Sequence, residues 1–270
     1  MGTPVEMTAP LTATVTEPLN TGTNSPVYSL RFLGTGSGGN LSVGAAAAVL
    51  EQAGQPLLLI DCGPGTLNAF AHHYDGLPSA VFITHAHMDH IADLEILTVR
   101  ARLSGAAAIA LFVPVALIPV LHQRLATYPG SMAEGDHDFW QSFQLRPVSD
   151  HFTLSGDTFR LYPTRHHAPG SSHALHLPGS FFYTGDTRPV PELLHHLCQA
   201  SDVIFHDCGV TPNPSHTGLD DLTREYRDDI RSRLILYHYA DAAAADTLIQ
   251  AGYRVARPGD VFRLGTPLHV

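Results

Sequence analysis

Thr84-His85-Ala86-His87-Met88-Asp89-His90 is the stretch on which the reading of this chain turns. It follows a short apolar run at residues 81–83. It precedes residues 90–103, where Ile91, Leu94, Ile96, Leu97 and Val99 form an apolar face at helical spacing. Three imidazoles and a carboxylate within six positions are donors suited to zinc, iron or manganese. At the carboxyl end of a strand they converge on the crevice where open α/β sheets bind ligands. The competing reading is a polar loop with satisfied histidines, and so tight a spacing argues against it.

The flanking sequence supplies the sheets. Residues 27–33 read as a strand ending in the turn Gly34-Thr35-Gly36-Ser37-Gly38-Gly39. Residues 43–50 and 57–60 are apolar runs of strand length, the second stopping at Asp61-Cys62-Gly63-Pro64-Gly65. Residues 109–113 read as a strand, followed by a Pro-opened helix over 114–128. Three short strands are expected within 143–161, a hairpin from 174–177 and 181–184, and buried strands at 203–205 and 234–237. Helices are expected over 219–230 and 242–251. Strands alternating with helices, together with hairpins, predict an α/β protein with mixed sheets. Residues 1–26, rich in Thr, Pro, Asn and Gly, read as a flexible tail; residues 27–270 read as one domain.

The 270 residues are 44% hydrophobic and 15% charged, which excludes a disordered, collagen-like or coiled-coil chain. The net charge is −10, with 15 Arg and no Lys, a poor balance for gripping long nucleic acid. Cys62, Cys198 and Cys208 are odd in number and lack C-x-x-C spacing, so neither a disulfide framework nor a zinc ribbon is indicated. No apolar run reaches the roughly 18 residues that span a bilayer. The first residues lack the basic and apolar regions of a secretory signal, so the expectation is a soluble, cytoplasmic protein without membrane attachment.

The histidine motif resembles the signature of the metallo-β-lactamase superfamily, and the likeness extends over most of residues 28–265. Asp61 in Leu59-Ile60-Asp61-Cys62-Gly63 is similar to the aspartate that orients the metal loop from behind the ligands. Phe182-Tyr183-Thr184-Gly185-Asp186-Thr187 resembles the segment whose Asp bridges two metals. Leu236-Tyr237-His238-Tyr239 sits where the last histidine ligand does. The resemblance implies an αββα sandwich of two mixed β-sheets flanked by helices. It also implies a site for two divalent ions, zinc first, with manganese or iron also compatible. His85, His87 and a third histidine would hold one ion; Asp89, His90 and His238 the other; Asp186 would bridge them and leave room for a bridging hydroxide nucleophile. His167 best fits the third position, with His166 the alternative within Arg165-His166-His167-Ala168-Pro169-Gly170-Ser171-Ser172-His173.

Within the superfamily, Leu33-Gly34-Thr35-Gly36-Ser37 resembles the ribonuclease Z and cyclic-nucleotide phosphodiesterase branch. His206-Asp207-Cys208-Gly209 and Ser215-His216-Thr217-Gly218 resemble that branch's pair of motifs, which implies Asp207 orienting His216 as general acid. The chain departs from the pattern by carrying Asp in place of Glu, and it has no inserted basic arm for transfer RNA. The expected substrate is therefore a small phosphodiester such as a nucleotide. Arg165 and Arg188 are candidates to meet phosphate oxygens. A carboxylic-ester, lactone or thioester hydrolase, with Tyr183, Tyr237 or Tyr239 polarising a carbonyl, is the alternative. A non-catalytic metal-binding protein is a third reading, and a homodimer is expected from the habits of relatives.

Overall fold

The computed structural model describes residues 27–38, 40–127 and 137–267; the expected tail at 1–26 lies outside them. The strands are β1 (Tyr28–Gly34), β2 (Ala47–Gln52), β3 (Gln55–Ile60), β4 (Ala80–Phe82), β5 (Ile109–Pro114), β6 (Phe143–Val148), β7 (His151–Leu154), β8 (Asp157–Pro163), β9 (His173–Leu177), β10 (Phe181–Tyr183), β11 (Val203–Asp207), β12 (Leu234–Tyr237), β13 (Arg254–Val255) and β14 (Val261–Arg263). They build two seven-stranded sheets, ordered β14-β1-β2-β3-β4-β5-β6 and β13-β12-β11-β10-β9-β8-β7. Each is mixed. The first is antiparallel from β14 to β3 and parallel from β3 to β6; the second is antiparallel from β7 to β10 and parallel from β10 to β13.

The period-two alternation of strand side chains explains why the sheets stack. Leu58 and Ile60 of β3 face the second sheet, while Leu59 between them faces outward. In β10, Phe181 and Tyr183 face the first sheet and Phe182 faces outward. The central layer thus joins Leu30, Phe32, Phe82, Phe159, Phe205 and Tyr237. Burying such side chains contributes roughly 1.5–3 kcal/mol each before the entropy of ordering them. Helices α1 (Thr66–Ala71), α2 (Met88–Ile91) and α3 (Asp93–Ser104) cover the outer face of the first sheet through Leu67, Phe70, Ile91, Leu94 and Leu97. A short helix α4 (Ile118–Leu121) continues that layer through Leu121. On the second sheet, α5 (Pro191–Leu197), α6 (Leu219–Glu225), α7 (Asp228–Arg231) and α8 (Ala242–Gln250) pack through Leu194, Leu222, Ile230 and Leu248. The result is the αββα sandwich.

Several expected elements change in detail. The helix expected over 90–103 begins earlier and divides at Ala92 into α2 and α3. The helix expected from 114 is broken into a 3₁₀ turn at Val115–Leu117, α4 and a π-helical turn at His122–Ala126; its expected end at 128 is outside the described residues. Residues 219–230 divide into α6 and α7. Strands β13 and β14 were not expected, because they are only two and three residues long and little buried. Among the described residues no helix is long and apolar enough to cross a membrane.

Candidate metal centre

The carboxyl ends of β3, β4, β10, β11 and β12 bring the polar residues to one edge of the sandwich. Asp61 follows β3 in the left-handed region, at φ 62°. Its carboxylate accepts from the Thr84 N–H and hydroxyl, both at 2.8 Å, and so ties the start of the histidine loop to the neighbouring strand. It also lies 2.8 Å from His90 Nδ1, which leaves Nε2 of that ring facing the cluster. Gly63 lets the same loop pass close by. A Cβ there would stand 1.6 Å from the Asp89 carbonyl oxygen.

Two donor groups form. His85 Nε2 and His166 Nε2 lie 3.1 and 3.0 Å from His87 Nδ1. The other nitrogens of two of these rings face fixed partners, His85 Nδ1 to Thr84 Oγ1 at 3.0 Å and His166 Nδ1 to the Ser215 carbonyl at 3.0 Å. The second group is Asp89, His90, Asp186 and His238. Asp186 Oδ2 sits between the groups, 3.3 Å from His90 Nε2, 3.1 Å from His238 Nε2, and 3.6 Å from His85 Nε2. Asp89 Oδ2 accepts from the Gly38 N–H at 3.1 Å, so the glycine-rich turn after β1 helps to position it. That turn also fixes His238: the Thr35 carbonyl accepts from the His238 N–H at 2.8 Å, and the Thr35 hydroxyl donates to Tyr239 Oη at 2.7 Å.

Of the two candidates for the third histidine, His166 is buried with His85 and His87. His167 is exposed, outside both donor groups, and in the left-handed region at φ 55°. The remaining expected residues, His85, His87, Asp89, His90, Asp186 and His238, are brought together, with Asp61 behind them. Asp207 and His216 also meet: Asp207 Oδ2 lies 2.8 Å from His216 Nδ1 and accepts from the Thr187 N–H at 2.9 Å. Asp207 Oδ1 lies 3.3 Å from His238 Nδ1. His216 further falls in donor groups with His166 and Asp186, and with Asp207 and His238.

Other expectations change. Arg165 is held by the Pro189 carbonyl at 2.9 Å and by Glu192 at 3.1 Å, and Arg188 donates to the Arg165 carbonyl at 3.2 Å. Neither lines the cavity beside the cluster. Tyr183, Tyr237 and Tyr239 are buried in the sandwich and do not line it either. His206, adjacent to Asp207, turns to the outer layer and lies 2.7 Å from Tyr226 Oη. Sequence reasoning missed Gly63; the signal was its place between Asp61 and Pro64, just past the end of β3.

The electrostatics expose a demand for positive charge. Burial alone would lower the pKa of His238, but Asp186 and Asp207 carry it up to about 10. His90 is likewise pushed well up against burial by Asp186 and Asp61. Asp186 is held well below the usual carboxylate range: burial opposes this, and His238, His90 and His85 overcome it. Burial, joined by the neighbouring His166, lowers His87 to about 4. His90 Nε2, His238 Nε2 and Asp186 Oδ1 are buried without a hydrogen-bond partner. Buried polar atoms of this kind are costly unless something pairs with them.

A tetrahedral ion with bonds of about 2.0–2.1 Å places its ligand nitrogens roughly 3.3 Å apart, so the histidine spacings and the orphaned atoms fit divalent ions. The fold and this donor set define a metal-dependent hydrolase of the metallo-β-lactamase fold, phosphodiesterase-like in kind. The family model of the anti-Pycsar protein Apyc1 matches residues 28–262, and the chain belongs to that family. It is similar to the anti-Pycsar protein Apyc1 of Bacillus phage 010DV004, 31% identical over 230 residues that cover 78% of this chain and 89% of the relative. The protein of the same name from Saccharibacillus brassicae is 32% identical over 222 residues, covering 79% and 90%. Among solved structures, the metallo-β-lactamase fold protein YhfI from Bacillus subtilis superposes with a TM-score of 0.68 at 17% identity, covering 88% of this chain and 99% of that one.

Proposed function

We propose that this chain hydrolyses a small phosphodiester, in particular a cyclic mononucleotide, at a centre of two divalent ions. In this reading His85, His87 and His166 hold one ion, and His166 takes the place expected of His167. Asp89, His90 and His238 would hold the second, with Asp186 placed beside both donor groups. Imidazole and carboxylate donors suit zinc first, and also manganese or iron. Bound there, such ions supply Lewis acidity at the phosphoryl oxygens and lower the pKa of a bound water.

The chain's own residues supply the rest. Asp61 fixes His90 through Nδ1 and Asp207 fixes His216 likewise, while the second oxygen of Asp207 faces His238 Nδ1 at 3.3 Å. His216 lines a cavity of about 540 Å³ together with Asp89, Asp186 and His238. That volume lies within the roughly 300–1,000 Å³ of small-ligand sites. Its Nδ1 faces Asp207, so Nε2 is the nitrogen left for a leaving oxygen. Burial would lower the pKa of His216, but the hydrogen bond and charge of Asp207 raise it, favouring a ring that arrives protonated. A sugar alkoxide is a poor leaving group, and a positioned imidazolium supplies its proton. The Asp207–His216 pair beside the donor cluster is the observation that carries this reading. The ester and lactone alternative loses its carbonyl-polarising candidates, because the three tyrosines are buried away from the cavity.

His216→Ala tests it. The expected result is a loss of about 10²–10⁴-fold in kcat on a cyclic nucleotide. A p-nitrophenyl diester, whose leaving group needs no proton, should lose less than about tenfold, with metal content unchanged. An unchanged rate on the cyclic nucleotide overturns the acid role. Loss of one metal equivalent instead marks His216 as a ligand.

A further inference from the structure

Behind the Asp207–His216 pair lies a polar contact in a layer that is otherwise apolar. Along β11, Phe205 faces the other sheet, while Ile204 and Cys208 pack outward with Leu222 and Tyr226. His206 stands between Ile204 and Cys208 and is fully buried. A buried imidazole costs stability unless its ring nitrogens find partners, and an aliphatic side chain there would carry no such demand. Both nitrogens are engaged. His206 Nδ1 lies 2.7 Å from the Asp207 carbonyl oxygen, and Nε2 lies 2.7 Å from Tyr226 Oη. The carbonyl only accepts, so Nδ1 carries the proton. Tyr226 Oη accepts from the Val190 N–H at 2.8 Å, and its own proton goes to His206 Nε2. These contacts fix one tautomer of a neutral ring. Burial lowers the pKa of His206 against the pull of Asp207, which keeps the ring neutral.

This chain of bonds ends on the residue that orients His216. β10 stops at Tyr183, opposite Phe205, so Asp207 runs past its neighbour on that side of the sheet. Its carbonyl is taken by His206, and its carboxylate meets the Thr187 N–H and His216 Nδ1. We infer that His206 is a positioning residue for the leaving-group proton: braced by Tyr226, it clamps the Asp207 peptide, so that the Asp207 carboxylate keeps His216 Nε2 aimed into the cavity. The inference rests on the acid role given to His216 above. Neither His206 nor Tyr226 lines that cavity, so neither touches substrate. Their effect therefore falls on kcat rather than KM, and only where the leaving oxygen needs a proton.

The test compares a 3′,5′-cyclic nucleotide with methyl p-nitrophenyl phosphate in metal-loaded wild type, His206→Leu, His206→Asn and Tyr226→Phe, with the metal counted in each. His206→Leu should lower kcat on the cyclic nucleotide about tenfold, with its KM and the rate on the p-nitrophenyl diester each within about twofold of wild type. The amide of His206→Asn stands where Nδ1 does and should recover most of the loss. Tyr226→Phe keeps the volume without the hydroxyl and should show the same selective loss, at about threefold. Equal losses on the two substrates, no loss on the cyclic nucleotide, or a His206→Asn no better than His206→Leu overturns the inference. Should His206→Leu fail to fold, Tyr226→Phe decides by the same ratio of the two substrates. The low-field proton NMR signal of His216 Nδ1–H, assigned by its absence in His216→Ala, reads the clamp without turnover. It should shift or broaden in His206→Leu and hold its place in His206→Asn. If His216→Ala leaves the cyclic-nucleotide rate unchanged, the acid reading has failed. The clamp is then judged by this signal alone, and a wild-type His216 signal in His206→Leu rejects it.

Discussion

Gly63→Ala offers a quantitative test of how the metal loop is placed. The glycine's added Cβ would lie 1.6 Å from the Asp89 carbonyl oxygen, 2.5 Å from its carbon and 2.9 Å from Ala45 Cβ. Real Cβ contacts essentially never fall under 3.0 Å, so the Asp89 carbonyl must retreat by 3.0 − 1.6 = 1.4 Å. The two nearest atoms are backbone and the third is a Cβ, so no side chain can rotate away. Two hydrogen bonds flank the contact: Cys62 N–H to the His90 carbonyl at 2.7 Å, and Asp93 N–H to the Cys62 carbonyl at 3.0 Å. Losing both costs about 1–3 kcal/mol of stability. A displacement of about 1 Å at the reacting groups lowers activity roughly 10²-fold. Because Asp89 and His90 both move, the variant should lose metal from their group before it loses metal from His85, His87 and His166. Metal analysis after dialysis, kcat/KM on a p-nitrophenyl diester and urea unfolding of the metal-free protein read these three effects. Gly65→Ala is the control. Its φ is +81° but no atom lies within 4 Å of the new Cβ, so only backbone strain of about 1 kcal/mol is expected, with metal retained. Wild-type metal content and activity in Gly63→Ala would refute the reasoning.

Two further predictions concern protons. Burial lowers His173 from its ordinary value to about 4. Its folded pKa lies below the unfolded value of about 6.5, so the unfolded chain binds the extra proton between those pH values. Stability is therefore full above pH 6.5 and falls as pH drops toward 4, by roughly 2–3 kcal/mol. Urea unfolding of metal-free wild type and His173→Leu at pH 8 and pH 4.5 should show this difference in slope, and parallel pH dependence would count against it. Separately, His238 at about 10 carries a proton in the metal-free protein at pH 7. Adding zinc should release at least one proton, read by calorimetry in two buffers of different ionisation enthalpy. Binding without proton release would contradict the placement of His238 between Asp186 and Asp207.

The parts legible in the sequence were those whose chemistry is contiguous or stands at a strand end. His85, His87, Asp89 and His90 come from one loop, and Asp186, Asp207 and His238 each sit at or just past the end of a strand that the apolar runs already outlined. The two-sheet sandwich itself came from the family resemblance: residues 57–60 of β3 and all of β10 are uniformly apolar in sequence, because both of their faces are buried, so which side chain meets the other sheet shows only in the structure. What stayed hidden depended on backbone direction or on distance in the chain. Spacing alone does not separate His166 from His167; a left-handed φ at His167 turns one ring in and the other out. Arg165 and Arg188 neighbour ligand segments in sequence, yet Glu192 and backbone carbonyls hold them elsewhere. The break at Ala92 was invisible because the apolar spacing continues across it.

Steady-state hydrolysis of 3′,5′-cyclic nucleotides tests the central claim most directly. Protein would be stripped, reconstituted separately with zinc and manganese, and its metal counted. Asp186 Oδ2 lies within 3.6 Å of His85, His90 and His238, so Asp186→Ala should remove the donor common to both groups. The account predicts two metal equivalents, turnover to a nucleoside monophosphate that vanishes with chelator, and no turnover in Asp186→Ala. Two bound metals with no turnover of any cyclic nucleotide, or turnover that survives in Asp186→Ala, would contradict it.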